Sequence, residues 1–250
     1  MTIRRSLAAL VASLGLTLTL TGAVLAEPTP EANTAFESGI EAYRTGDVGG
    51  AVGEWEKAAE GGHPMAAYLL GQLYEQGRGV EQSEWKAFEY YKMASASGQA
   101  QAAVKVGLLY RDGNKQLGIK KNYEKALQSF EKGALQSWPE SQFYLADMYR
   151  RGLGTPVDRT EGLRWLILAS KKHHAPSLLE LARIHFDGEG VNVDRVLAWS
   201  YLELAGRFAD MVEGGKVNAA RDKYGKRMKP GEKEAALKLA DEWVAINGAS

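Results

Sequence analysis

Small residues recur along this chain at a nearly constant spacing, and no other feature restricts its fold as much. They are Gly71, Gly107, Ala146 and Ala182, and the distances between them are 36, 39 and 36 residues. A ring follows three positions later, in Tyr74, Tyr110, Tyr149 and His185, and a glycine follows six positions later, in Gly77, Gly113, Gly152 and Gly188. A period of this size is typical of proteins in which one supersecondary unit is stacked several times. We therefore expect one elongated array of repeats.

Each repeat reads as two helices joined by a glycine turn. The first helix (A) carries apolar residues at helical spacing, for example Ala66, Leu69, Leu70 and Leu73. The second helix (B) is preceded in all four repeats by a residue type that caps helix N-termini, and these residues are Ser83, Asn122, Asp158 and Asp194. The pattern predicts an all-α fold of stacked antiparallel helix pairs.

The small residues in the A helices predict close contact between helices. A glycine inside a helix costs about 1 kcal/mol relative to alanine, so Gly71 and Gly107 need a compensating role. We expect them to admit a neighbouring helix, with large side chains of the B helices filling the remaining space; these are Tyr91, Phe130, Trp165 and Tyr201. The 39-residue spacing arises from a longer turn over Asn114–Lys121, which predicts a surface loop.

The first 26 residues read as a secretory signal. Arg4 and Arg5 provide a basic start, Leu7–Leu20 is apolar, and the stretch ending at Ala26 resembles a cleavage site. An uncleaved membrane anchor is the alternative, but the apolar run is short and broken by Gly15 and several threonines, whereas a spanning helix needs about 20 apolar residues. We expect cleavage after Ala26 and a periplasmic or secreted protein without stable membrane insertion.

The remaining chain divides into four parts. Residues 27–34 read as a linker, 35–64 as a degenerate first repeat, 65–206 as four full repeats and 207–250 as a helical cap. Within the cap, Arg207–Arg227 predicts a helix interrupted at Gly214-Gly215, and Glu232–Ile246 predicts a last amphipathic helix that closes the stack.

Catalytic and metal-binding patterns are weak. The numbers of basic and acidic residues are both 31, which favours neither nucleic acid nor anionic lipid, and the absence of cysteine excludes thiolate chemistry. Ser83 and Lys86 match a Ser-x-x-Lys pattern, which leaves a β-lactam-recognising envelope hydrolase as an alternative, but the companion motifs are missing. The pair His173-His174 lacks further ligands at suitable spacing. We expect no enzyme activity, cofactor or metal.

The sequence of the repeats resembles that of a known family. Ala67–Val80 with Lys86-Ala87 and Tyr90-Tyr91 is similar to the Sel1-like branch of the tetratricopeptide repeats almost position by position, and Ser177–Val191 keeps the same turn. The departures are alanine at 146 and 182, histidine at 185, and no second turn glycine after Gly113. The resemblance implies a right-handed α-superhelix that binds protein segments.

Exported bacterial members of this family are similar to envelope scaffolds and to periplasmic negative regulators of a sensor kinase in exopolysaccharide signalling. The resemblance therefore implies an envelope protein as partner, bound on the concave side formed by the A helices; a purely structural oligomer is the other possibility. If the geometry of the family applies, the residues pointing into the groove are Tyr68, Gln72, Glu75, Arg111, Asp112, Phe143, Asp147, Arg150, Arg151, Arg183, Phe186 and Asp187. Aromatic residues and arginines are the types that anchor protein partners.

Overall fold

The computed structural model describes residues 27–248, and over this range the fold is a right-handed α-solenoid of stacked helix pairs. The described part contains no β-strand; its helices are α1 (Pro30–Arg44), α2 (Val48–Glu60), α3 (Pro64–Gln76), α4 (Glu84–Ala96), α5 (Ala100–Asp112), α6 (Tyr123–Leu135), α7 (Pro139–Arg151), α8 (Arg159–Ser170), α9 (Ala175–Asp187), α10 (Arg195–Phe208), α11 (Met211–Gly225) and α12 (Glu232–Asn247). Helices α3, α5, α7 and α9 are the A helices of the four repeats, and the helix after each is its B helix.

The helix ends form as the sequence predicts. Each of the four predicted N-cap side chains accepts a hydrogen bond from the backbone N–H three residues later, at 3.3 Å for Ser83 and 2.9 Å for Asn122, Asp158 and Asp194. At the other end of the A helices, Gly77, Gly152 and Gly188 adopt left-handed conformations that terminate the helix. These positions need glycine because a Cβ atom disfavours positive φ.

The A and B helices of a repeat touch through a small residue and a large one. A Cβ atom placed on Gly71 would lie 2.6 Å from the Tyr91 ring, and one on Gly107 would lie 2.5 Å from the Phe130 ring. Gly39 of α1 meets Trp55 in the same way, so the degenerate first repeat uses the same contact. The predicted role of these glycines is confirmed.

The last two repeats solve the same packing problem with different residues. Ala146 and Ala182 replace the glycines, and the B-helix positions equivalent to Tyr91 and Phe130 hold the buried residues Leu166 and Leu202. Trp165 and Tyr201, which we expected in this role, stand one residue earlier on their helices, and that assignment is corrected. A methyl group on one helix thus accompanies a smaller side chain on the other, which keeps the packed volume nearly constant.

Successive repeats also stack through their turns. The second turn glycine packs against the first residue of the preceding B helix: a Cβ atom on Gly154 would lie 2.6 Å from the Tyr123 backbone, and one on Gly190 would lie 3.0 Å from Arg159. Gly79 contacts Val48 in the same way. The turn of each repeat therefore rests on the start of the B helix before it.

The repeat without a second turn glycine makes this contact with a small hairpin. Asn114 and Ile119 form a two-way backbone bridge with N···O distances of 2.8 Å, and the Asn114 amide lies 3.4 Å from Glu84, the first residue of α4. Leu117 and Ile119 pack on the apolar core, while the lysines of the hairpin stay exposed. The predicted surface loop is therefore an ordered hairpin with two apolar anchors.

The two ends of the array differ from the predictions in detail. Helix α1 begins at Pro30, so it includes part of the predicted linker over 27–34. Helix α11 runs through Gly214 and Gly215 without a break, so the predicted interruption is wrong. Helix α12 closes the stack by burying Ala236, Ala240 and Trp243, and α10 is its main neighbour.

The predicted signal segment 1–26 lies outside the described residues. Among the helices of the described part, none combines the length and the hydropathy that crossing a membrane would require.

Candidate partner-binding surface

The A-helix face, which we define as the exposed surface of α3, α5, α7 and α9, is connected across its repeats by one recurring contact. The residue four positions after the small residue of one repeat meets the residue two positions before the small residue of the next. The three contacts are Glu75 with Lys105 at 3.0 Å, Arg111 over the Tyr144 ring at 5.1 Å, and Arg150 with Glu180. We call these three contacts the first, second and third junctions. The type of interaction differs between them, but the two repeat positions that form it are the same.

The first junction is centred on the Glu75 carboxylate. Lys105 donates to both of its oxygens, at 3.0 and 3.1 Å, and the Tyr91 hydroxyl donates to it at 2.6 Å. Burial of the phenol, together with this hydrogen bond to the carboxylate, raises the pKa of Tyr91. The contact therefore connects α3, α4 and α5.

The second junction is centred on Arg111. Its guanidinium donates two parallel hydrogen bonds of 2.8 Å to Asp112 and covers the Tyr144 ring. The hydrogen bonds from Arg111 lower the pKa of Asp112, and the Asp112 side chain remains 60% exposed. Asp112 is therefore ionised and accessible at neutral pH.

The third junction is a closed ring of alternating charges. Arg150 pairs with Glu180 and with Glu189 (2.6 Å), and Arg183 pairs with the same two carboxylates, at 2.9 and 2.6 Å. Burial alone would raise the pKa of Glu180 and Glu189, but the hydrogen bonds from the two arginines outweigh it and lower the pKa of both. Arg150 is 8% exposed, so the expectation that it points freely into the groove is wrong.

Phe186 also differs from the prediction that it points into the groove. Its side chain is fully buried and stacks on Tyr224 of α11, with ring centroids 4.2 Å apart. Asp187 beside it accepts hydrogen bonds from Tyr224 and Arg227, both at 3.1 Å. Helix α11 thus covers the end of the predicted groove, and Phe186 belongs to the core.

The other predicted residues lie on the A-helix face. Gln72 donates to the Tyr68 hydroxyl at 3.2 Å, and Arg151 pairs with Asp147 at 3.1 Å. Phe143 is half-buried against Tyr144. Their role in binding a partner stays a prediction.

Sequence reasoning missed the second half of each junction. Lys105, Tyr144 and Glu180 stand two positions before the small residue, and Glu189 lies in a turn. Comparing charges at this position between successive repeats would have paired Glu75 with Lys105 and Arg150 with Glu180, because both pairs are 30 residues apart.

The residues considered for catalysis and metal binding have structural contacts. Ser83 caps α4, and Lys86 lies 4.8 Å above the Tyr74 ring. His173 stacks on Phe208 at 4.3 Å, and His174 accepts or donates a 2.8 Å hydrogen bond with Ser177 while burial lowers its pKa to about 4. His185, which replaces a repeat tyrosine, packs 5.8 Å from the Tyr201 ring. No cluster of three metal-ligating side chains occurs within residues 27–248.

Comparison with known proteins gives relatives of the same architecture. The chain is 28% identical over 163 residues to the exopolysaccharide production negative regulator of Rhizobium leguminosarum bv. viciae, and 29% identical over 154 residues to that of Rhizobium meliloti. These alignments cover 61% and 57% of this chain, and the chain spans 61% and 58% of the length of the two relatives.

Solved structures agree with the fold. A Sel1 repeat protein from Oxalobacter formigenes superposes with a TM-score of 0.56 at 29% identity, covering 70% of both chains. A protective antigen of uropathogenic Escherichia coli, whose fold is also of the Sel1-like type, gives a TM-score of 0.53 at 20% identity over 87% of this chain and 54% of the antigen.

The sequence profile of the Sel1 repeat matches four consecutive segments, residues 64–99, 100–137, 139–174 and 175–207. The second segment contains the inserted hairpin, and the fourth lacks the repeat tyrosine, yet both are recognised. These four segments account for more than half of the chain, which therefore belongs to the Sel1 repeat family.

Proposed function

We propose that this protein is an interaction scaffold of the bacterial cell envelope that holds a segment of a partner protein along its A-helix face. The observation that carries the proposal is the row of partly exposed charged and aromatic side chains that spans the first two junctions of the A-helix face, Glu75 with Lys105 and Arg111 with Tyr144. Their inter-repeat contacts hold these side chains in place, so that little further ordering is needed when a partner binds. Binding of partner proteins is also the role for which stacked helical repeats are suited.

Location in the envelope rests on the signal-like segment. If Met1–Ala26 is an export signal, the mature chain begins at Glu27 and is recovered from the periplasm or the medium. Mass spectrometry of the protein purified from fractionated cells measures the N-terminus directly. A chain that retains Met1 and stays in the cytosol would refute this location.

Site-specific photocrosslinking in living cells tests the scaffold role. A photoactivatable residue replaces Gln72 on α3 or Arg151 on α7, and the matched control carries it at Gln128, which is exposed on the B helix α6. We expect the same one or two envelope proteins to crosslink from both A-helix positions and not from Gln128. Identical products from all three positions would show that the A-helix face is not the binding surface.

A second candidate is negative regulation of exopolysaccharide production, acting on a sensor kinase. The similarity to the two rhizobial regulators favours it. Deleting the gene should then raise secreted polysaccharide, and the wild-type gene should restore the original level. Unchanged polysaccharide in the deletion strain would exclude this role and leave the scaffold proposal in place.

A further inference from the structure

Helix α11 lies on the fourth repeat, at the C-terminal end of the A-helix face. In the fourth repeat, Phe186 holds the position four residues after the small residue, where the other three repeats place the junction residues Glu75, Arg111 and Arg150. Phe186 is fully buried because Tyr224 of α11 covers it in a parallel stack, with ring centroids 4.2 Å apart and an angle of 2° between the planes. A segment of the chain itself therefore occupies this end of the groove.

The polar contacts at this place come from one aromatic and one basic residue. The Tyr224 hydroxyl and the Arg227 guanidinium both donate to Asp187, each at 3.1 Å, and Arg227 also donates to the backbone carbonyl of Phe186 at 2.8 Å. The guanidinium lies 6.0 Å from the centroid of the Phe186 ring. The fourth repeat thus binds a tyrosine and, three positions later, an arginine through one ring face, one carboxylate and one carbonyl.

The rest of α11 adds little to this attachment. Of its fifteen residues, two are buried, Val217 and Tyr224, whereas seven of the fourteen residues of α10 are buried. Met211 at the start of α11 is 97% exposed. Arg221 pairs with Glu203 of α10 at 2.7 Å, but both side chains are partly exposed, so this ion pair contributes little. Two buried side chains therefore provide most of the hold on the helix.

Two glycines weaken α11 from within. A glycine inside a helix is unfavourable, and at Gly71 and Gly107 the close approach of an aromatic ring explains its presence. At Gly214 and Gly215 a Cβ atom would meet nothing within 4 Å, so no packing contact compensates for the loss. Residues that break a local rule in this way are expected at functional sites. A helix that is both weakly held and intrinsically unfavourable opens more readily than the repeats beneath it.

Helix α12 is attached to the array by contacts of its own. Its buried residues Ala236, Ala240 and Trp243 pack mainly against α10, and its Asp241 pairs with Arg207 of α10 at 2.6 Å. Residues 226–231 connect α11 to α12. Helix α11 can therefore leave the groove while the chain on both sides of it stays in place.

We propose that α11 is a displaceable cover of the C-terminal end of the groove, and that a partner segment takes its place with an aromatic residue followed three positions later by an arginine. The aromatic ring stacks on Phe186, and the arginine donates to Asp187 and to the Phe186 carbonyl, as Tyr224 and Arg227 do in the protein alone. This inference rests on the proposed function, because it names the chemistry of one contact in the same groove and the movement that exposes it.

Hydrogen exchange followed by mass spectrometry tests whether α11 opens by itself. In the wild-type protein, the amides of α11 should exchange at least about 10-fold faster than those of α9 and α10. The double variant Gly214→Ala/Gly215→Ala should slow the exchange of α11 about 10-fold, because alanine favours the helix and the new methyl groups meet no neighbour. The matched control is Gly53→Ala in α2, where a Cβ atom also meets nothing within 4 Å, and it should leave the exchange of α11 unchanged.

A synthetic peptide of residues 211–229 is the probe for the uncovered site, and fluorescence anisotropy measures its binding to the purified protein. In the variant Tyr224→Ala/Arg227→Ala the cover no longer competes, so the peptide should bind at least about 10-fold more tightly than it binds the wild type. The peptide carrying the same two substitutions should bind neither protein. Lys120→Ala/Tyr123→Ala removes an exposed base and an exposed aromatic residue, with the same spacing, from the second repeat and should behave like the wild type. Circular dichroism checks that each variant is folded.

The results separate this inference from the proposed function. If α11 exchanges as slowly as α9 and α10, or if the peptide binds the uncovered variant no more tightly than the wild type, α11 is a fixed cap and the inference is wrong. Crosslinks from Gln72 and Arg151 to an envelope protein would then still support the proposed function. If neither position gives crosslinks, the proposed function fails and the inference fails with it. Should the uncovered variant not fold, the exchange of α11 in the wild type and in Gly214→Ala/Gly215→Ala decides the question.

Discussion

Exchanging the packing pair of one repeat for that of another tests how the helices of each pair come together. The change is Gly107→Ala combined with Phe130→Leu, which gives the second repeat the alanine and leucine that the third holds at 146 and 166. The double variant should lose less stability than the sum of the losses caused by the two single substitutions, because the side chains at 107 and 130 fill the same space.

The magnitudes follow from the geometry. A Cβ atom on Gly107 would lie 2.5 Å from Phe130, against roughly 3.5–4 Å for an ordinary carbon contact. Overpacking of this kind costs about 1–3 kcal/mol, and the better helix propensity of alanine returns about 1 kcal/mol. Phe130 is fully buried, so Phe130→Leu alone leaves a void that costs about 1–2 kcal/mol. In the double variant the new methyl group occupies that void, and a coupling of about 1–2 kcal/mol is expected.

Urea unfolding followed by circular dichroism and by tryptophan fluorescence measures all four proteins of this cycle. Coincident transitions from the two probes are required before free energies are compared. The matched control is Gly53→Ala in α2, where a Cβ atom meets nothing within 4 Å, and we expect it to stabilise the protein by about 0.5–1 kcal/mol. Strictly additive effects of the two substitutions, or a Gly107→Ala variant as stable as Gly53→Ala, would refute this explanation of the packing.

Three further predictions concern stability. Gly214→Ala and Gly215→Ala should each raise the free energy of unfolding by about 0.5–1 kcal/mol, because both glycines lie inside α11 with no neighbour near a new methyl group; lower midpoints in urea would contradict this. Arg150→Met should cost about 3 kcal/mol, since it leaves Glu180 and Glu189 with one arginine between them, whereas the neighbouring exposed Arg151→Met should change stability by less than about 0.5 kcal/mol; equal effects in the same assay would argue against the ring. His174 has a folded-state pKa of about 4, below its ordinary value of 6.5, so the unfolded chain binds the proton first and stability falls as the pH drops from 7 to 4, by at most about 3 kcal/mol. His174→Asn should remove this part of the pH dependence, and parallel stability–pH curves for both proteins would disprove it.

Local features of this fold were predictable from the sequence. The repeat period, the two helices per repeat and the four N-caps depend on residues within one repeat. They can therefore be predicted from the local amino-acid pattern. The roles of Gly71 and Gly107 were also predictable, since a costly residue inside a helix requires a reason in the packing. The replacement of the glycine–aromatic pair by an alanine–leucine pair in the last two repeats was not predictable, because it balances side-chain volume between two positions about 20 residues apart on different helices.

The tertiary structure alone decided which residues of the A-helix face are free. Phe186 and Arg150 occupy positions that read as groove-facing, but Tyr224 covers the first, and Glu180 and Glu189 enclose the second. Helix α11, which supplies Tyr224, follows no repeat period, so nothing in the pattern places it over the end of the groove. The physical reason is that burial depends on which residues about 30 to 40 positions apart come into contact. The pairing of Arg150 with Glu180 follows a regular 30-residue spacing, but Glu189 in a turn and Tyr224 in α11 follow no such spacing and are placed only by the packing of the helices.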